Sequence, residues 1–221
     1  MPKFAAGVVK FQHDVFPGNA ALFEKLAEGQ APEALFITCS DSRIETGMLT
    51  QSQPGDLFIV RNAGNIVPPH TNETGSTTAA IEYACIALNV PHIVICGHTQ
   101  CGAMHGAMHL EGLGELPHVK EWLSYARAAV EITNELGKNL DERARSLRLL
   151  EQNVILQLTH LRTHPAVAVR LARGDLRLHG WVYDIVDGEV YALDEAGKSF
   201  EPVSQRYAAE VAKHLALHTH N

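Results

Sequence analysis

Residues 91–102 read PHIVICGHTQCG, and residues 34–43 read ALFITCSDSR. Each stretch opens on a short apolar run, residues 92–96 in the first and 34–37 in the second. Each then breaks into polar residues carrying Cys, His, Asp or Arg. A short run bounded by a proline or by polar turn residues predicts a strand buried on both faces. Outward from these two, residues 57–60 (LFIV) form a third such run after the Pro54-Gly55 turn. Between the strands, residues 75–89 repeat Ala79, Ala80, Tyr83, Ala84 and Leu88 on related helical faces, and Pro91 stops the helix. Residues 101–110 predict a short helix, and residues 116–136 and 142–162 predict long ones. Pro165 opens another, ended by Gly174. Residues 176–185 read as a longer strand, turned back at Asp187-Gly188 into residues 190–193 as an antiparallel hairpin.

Apolar strands alternating with helices are βαβ units. The predicted fold is therefore α/β, a mostly parallel β-sheet core flanked by helices, in a single domain over residues 1–221. Residues 3–13 and 19–28 read as two amphipathic helices parted by Pro17-Gly18, and make an N-terminal helical arm (1–30) with no sheet of its own to cover. Residues 112–162 read as a helical insertion. The tail from about residue 205 carries several histidines and reads as helix or frayed end, not as a metal site.

Composition narrows the function classes. The chain has 221 residues, with 18 Lys plus Arg against 25 Asp plus Glu, and a net charge of −7. An acidic chain lacks the basic surface that phosphate backbones require, so no nucleic-acid partner is expected. No apolar run reaches the ~18 residues of a membrane span. The first residues, MPKFAAGVVKFQHDVF, are broken by Lys10, Gln12, His13 and Asp14 and do not read as a secretory signal, so a cytoplasmic location is expected. Cysteines at 39, 85, 96 and 101 are then expected as thiols or metal ligands, not disulfides. Cys85 and Cys96 lie in apolar runs and read as core. Cys39 and Cys101 lie among Ser, Asp, Gln and Gly, where core cysteines are unusual.

Cys39, His98 and Cys101 each fall at or just past the carboxyl end of a predicted strand, the edge where open α/β sheets bind ligands. Two thiolates and one imidazole suit tetrahedral zinc, and three protein ligands leave a fourth position for water. Asp41 has two readings. It is a fourth ligand that closes the site, or it pairs with Arg43, stays ionised and accepts a hydrogen bond from the water. A redox pair of Cys39 with Cys101, and a purely structural zinc, are the competing uses of the same residues.

CSDSR at 39–43, PGDLFIVRNAGNIVPP at 54–69, AAIEYA at 79–84, ICGHTQCGAM at 95–104 and HGWVYDI at 179–185 together resemble the β-class carbonic anhydrases. The likeness is to the plant, cyanobacterial and bacterial cyanate-associated branch, and it spans nearly the whole chain. It implies one Zn²⁺ per chain at Cys39, His98 and Cys101, with Asp41 and Arg43 as the catalytic pair. It implies reversible hydration of carbon dioxide to bicarbonate and a proton by attack of zinc-bound hydroxide. It implies a four-stranded parallel core and a homodimer or higher homo-oligomer in which the arm wraps a partner subunit. Substrate-binding residues carried over are Gln30, Phe58, Tyr83 and the Gly102 N–H. Another branch has an inhibitory bicarbonate site, whose matching positions are Phe36, Arg61 and Tyr183. Phe36 stands there in place of a Trp and lacks its N–H donor. A carbon disulfide or carbonyl sulfide hydrolase with the same ligands is the rival activity.

Overall fold

The computed structural model describes residues 1–194, 196 and 199–218; positions 219–221 of the His-bearing tail lie outside them. The two runs quoted above become neighbouring parallel strands, β1 (Ala34–Cys39) and β3 (His92–His98), paired from Ala34↔His92 to Thr38↔Cys96. β2 (Leu57–Asn62) pairs parallel with β1, and β4 (Arg177–Tyr183) pairs parallel with β3. β5 (Val190–Asp194) and β6 (Ser199–Pro202) add antiparallel, so the described strands order as β2-β1-β3-β4-β5-β6. The Asp187-Gly188 turn joins β4 to β5 with Gly188 at φ +81°. β6 escapes a sequence reading because SFEP is short and ends in proline. An edge strand tolerates that proline, since no inner neighbour needs its N–H.

Strand alternation sorts the core. Leu35, Ile37, Ile93 and Ile95 belong to the main hydrophobic core, while Phe36, Val94 and Cys96 form a smaller cluster with Trp181 and Tyr183. Helices α4 (Ser76–Ile86), α8 (Glu142–Arg162) and α9 (Pro165–Arg173) contribute Ile81, Ala84, Val154, Leu158, Leu161 and Val167 to the main core. α8 lies against β3 and β4. It can come that close because Gly180 has no Cβ: one added there would stand 2.8 Å from Val154 Cγ1 and 2.9 Å from Leu158 Cδ1.

Two helical readings change. The arm is not split at Pro17-Gly18. α1 (Pro2–Lys10) runs through a π-helical turn (Phe11–Val15) into α2 (Phe16–Ala27), with Pro17 in the first turn of α2. Phe16 N–H bonds back to the Phe11 carbonyl, an i→i−5 bond of the π turn, so the residue without an N–H falls where the α ladder changes register. Residues 116–136 are not one helix but α6 (Pro117–Leu123), a 3₁₀ turn (Ser124–Ala126) and α7 (Arg127–Leu136). α3 (Thr46–Thr50), α5 (Gly102–Met108), α10 (Val203–Arg206) and α11 (Ala208–His218) are short connectors or terminal pieces. The arm buries no residue, and Phe4, Val8, Phe11, Val15 and Phe16 are exposed. No described helix is long and apolar enough to cross a membrane.

The smaller face of the sheet carries a histidine pair. His92 Nδ1 lies 3.1 Å from His179 Nε2, and His179 Nδ1 lies 2.9 Å from the Tyr207 hydroxyl. Burial, then His92 and the charges of Arg177 and Arg206, push the His179 pKa down from 6.5 to about 4. His92 is lowered as well, chiefly by burial. The unfolded chain therefore takes up a proton that the folded chain refuses. The contribution is complete above the ordinary histidine pKa and is lost as pH falls from 6.5 toward about 4. Unfolding free energies from urea titrations are expected to fall over that window, by at most about 1.4 kcal/mol per pH unit for one proton. His179→Gln is expected to make the fall shallower; an unchanged slope would remove this pair from the acid response.

Candidate active site

The site is built at the carboxyl ends of β1 and β3. β1 delivers Cys39 as its last residue, and β3 delivers His98 as its last residue. The chain then turns through Thr99 and Gln100, the latter left-handed at φ 57°, so that Cys101 becomes the N-cap of α5. The Cys39 and Cys101 sulfurs are 3.9 Å apart, and with a ring nitrogen of His98 the three ligand atoms all lie within 4.8 Å of one another. All three residues are buried. His98 Nδ1 is 2.9 Å from the Thr99 carbonyl; with that N–H donating, Nε2 carries the lone pair. Nε2 is buried and has no hydrogen-bond partner. A buried, unpartnered lone pair facing two thiols is costly unless a cation takes it up, and the donor set fits a tetrahedral soft-to-borderline metal.

The sulfurs are electrostatically prepared for that. Cys39 has its pKa lowered from 9.0 to about 4, first by the Cys101 S–H, then by His98 and by the Gly64 N–H at 3.4 Å, against the opposing effect of burial. Cys101 is raised, because its proton is held between the two sulfurs and the thiol is buried; the Met104 and Ala103 N–H groups of α5 work the other way. Sharing one proton between the two sulfurs favours the thiolate at Cys39, and a metal taking both sulfurs would displace that proton. Gly64 sits at φ +81°, and a Cβ there would meet Met104 Cε at 2.8 Å. Only glycine brings this N–H so close to Cys39.

Asp41 stands at the rim of the triad and outside it. Arg43 Nε donates to Oδ1 at 2.9 Å and Nη2 to Oδ2 at 2.8 Å, and the Arg43 backbone N–H adds 3.0 Å to Oδ1. These bonds hold the Asp41 carboxyl well below the ordinary carboxylate range. Oδ2 is 3.9 Å from His98 Nε2. Arg43 is held in turn by Gln100, whose backbone carbonyl accepts from Nη2 at 3.0 Å. Gln100 was not among the residues read from sequence. Its side-chain Oε1 also lies 3.4 Å from Arg43 Nη1, but the left-handed turn that brings it there is not announced by its residue type.

The other sequence-read residues fall nearby or apart. Gly102 is exposed in the first turn of α5. Phe58 and Tyr83 pack on each other at 5.8 Å between ring centroids, with Tyr83 half exposed. Gln30 is exposed between α2 and β1. Phe36 lies edge-on to Trp181 on the smaller face of the sheet, and Arg61 turns toward the backbone of residues 39–44.

Known proteins share this sequence and fold. The family profile described as Carbonic anhydrase matches residues 34–190. A carbonic anhydrase of Pseudomonas aeruginosa is 48% identical over 199 residues, 90% of each chain. The solved β-carbonic anhydrase CcaA superposes with a TM-score of 0.89 at 42% identity over 91% of each chain. One of two tetrameric β-carbonic anhydrases from the ascomycete Sordaria macrospora matches with a TM-score of 0.69 at 36% identity, covering 87% of this chain and 92% of that one.

Proposed function

The chain belongs to the β-carbonic anhydrases, enzymes of carbon dioxide hydration, and from that premise we propose that Cys39, His98 and Cys101 hold one zinc ion while Asp41 and Arg43 direct the reacting water. The observation that carries this is the buried, unpartnered Nε2 of His98 beside the two buried sulfurs of Cys39 and Cys101. Bound there, zinc would supply Lewis acidity, which lowers the pKa of a bound water; two thiolates make it a weaker acid than three neutral imidazoles would, so that water is expected to ionise above neutral pH. The remaining work belongs to the protein. Asp41, kept ionised by Arg43, is purely an acceptor; it takes a hydrogen bond from the water and turns a lone pair of its oxygen toward the substrate carbon. The new C–O bond converts carbon dioxide to bicarbonate as the water's proton leaves to buffer. The Gly102 N–H, without an intrahelical partner in the first turn of α5, donates to a substrate oxygen. Because Arg43 holds the Asp41 carboxylate outside the triad, the remaining place on a metal bound there would be left to water.

The same reading makes the protein at least a homodimer. The arm exposes Phe4, Val8, Phe11 and Phe16, buries none of its residues, and touches its own subunit near Gly55 through Leu26. A partner subunit supplies the missing apolar surface, and Phe58, Tyr83 and Gln30 line a substrate pocket together with residues across that interface. Thiol ligands suit a reducing compartment, and we place the enzyme in the cytoplasm.

The test is a stopped-flow hydration assay on protein whose metal content and sedimentation are measured in the same preparation. Activity proportional to zinc, one zinc per chain and an assembly of two or more chains are expected. A metal-free chain with full activity, an active monomer, or faster sulfide release from carbonyl sulfide than hydration of carbon dioxide would each overturn the corresponding part.

A further inference from the structure

Three backbone carbonyls of the segment bearing Cys39 and Asp41 converge on one side chain. Arg61, on the outer strand β2 in register with Thr38, donates from Nε to the Cys39 carbonyl at 3.1 Å. Its Nη2 donates to the Asp41 carbonyl at 2.8 Å and to the Ile44 carbonyl at 2.7 Å. Beyond β1 the segment leaves the sheet, and backbone ties to its neighbours are few. Ser40 N–H reaches the Asn62 carbonyl at 2.9 Å, and Ile44 N–H closes a turn on the Asp41 carbonyl at 3.1 Å. The guanidinium is the group that binds the two ends of the turn to each other. Two residues of the site sit where it grips: Cys39, whose sulfur is a metal ligand in the reading above, and Asp41, whose carboxylate Arg43 holds.

We propose that Arg61 is a positioning residue for the reaction: by tying the Cys39, Asp41 and Ile44 carbonyls together it sets where the Cys39 sulfur and the Asp41 carboxylate stand. The hydrogen bonds described go to main-chain oxygens, so it acts through the backbone. Labour is divided between two arginines. Arg43 fixes the Asp41 side chain, and Arg61 fixes the peptide frame from which that side chain and Cys39 project. A rigid planar fork can serve three carbonyls at once, whereas an ammonium is a single compact donor centre.

This inference rests on the metal-centre reading, and the experiment separates the two. Wild type, Arg61→Met and Arg61→Lys are checked for folding by circular dichroism and loaded with cobalt(II). Thiolate-to-cobalt and d–d absorption report the ligand geometry, and kcat and KM for hydration are measured on the zinc forms. Arg61→Met is expected to fold, to bind one cobalt with altered bands, and to lose about 10–100-fold in kcat, the range typical of groups that orient metal ligands. KM is expected to move by less than about 3-fold, since binding of the substrate is not what the clamp serves. Arg61→Lys is expected to recover part of both the spectrum and kcat. Wild-type bands and wild-type kcat in Arg61→Met would overturn the proposal. Should Arg61→Met fail to fold, Arg61→Lys decides by the same readouts: altered bands with lowered kcat support the clamp, and wild-type values overturn it. A wild-type protein with no thiolate–cobalt band would overturn the metal centre itself, and the clamp with it.

Discussion

Cys101→Ser is expected to yield a folded chain that retains little zinc and hydrates carbon dioxide more than about 100-fold more slowly, beyond the usual cost of losing a group that merely orients a ligand. The reason is specific to this sulfur. Cys101 lies 3.9 Å from Cys39 and holds the proton that the pair shares. A serine hydroxyl is a poor zinc ligand and stays protonated, so the donor set falls to one thiolate and one imidazole. The fold should survive, because Cys101 is the N-cap of a short helix and the sheet does not pass through it. Metal analysis and initial rates on the same sample check this. Full zinc occupancy with wild-type rates would take Cys101 out of the centre.

Asp41→Asn and Arg43→Ala are expected to keep zinc and to lose about 10–100-fold in turnover, the range for second-layer groups. The amide can donate as well as accept, so it no longer fixes which way the water points. Arg43→Ala removes both grips on the carboxylate and leaves its Oδ2, 3.9 Å from His98 Nε2, free to swing toward the metal. This variant is therefore expected to hold zinc at least as tightly as wild type while being slow. Arg43 keeps the Asp41 pKa below the ordinary carboxylate range. The carboxylate is thus already ionised throughout an assay from about pH 6 to 9.5, and its titration contributes no limb to that profile. Zinc content and rate separate the readings: if Asp41→Asn strips the metal, Asp41 is a ligand and the fourth position is not water's.

The strands that bring Cys39, His98 and Cys101 together are legible because the information is local. ALFIT and HIVIC are unbroken apolar runs, and His98 and Cys101 are close enough in sequence to be read as a unit. Arg61 and Gln100 were not legible as clamps. Arg61 grips backbone oxygens, and Gln100 offers its own carbonyl to Arg43; tertiary folding makes both contacts, and no residue type announces a carbonyl. The arm was read in two pieces because Pro17-Gly18 looks like a break, although the π turn before it puts the missing N–H where the α ladder changes register. The split at Ser124–Ala126 was missed because Leu, Ala, Arg and Glu continue the helical composition across it. β6 and α10 are too short for periodicity to declare them.

The triad also fixes an order of events. Cys39 and Cys101 are 62 positions apart in the chain, and their approach requires β1 to have found β3 across everything between them. Closing so long a loop is entropically costly and is repaid by non-local strand pairing, not by one ion. In a small zinc finger the metal nucleates the fold. Here the two sulfurs lie together only where β1 and β3 are paired, so the metal proposed to be held by both would bind a scaffold already formed.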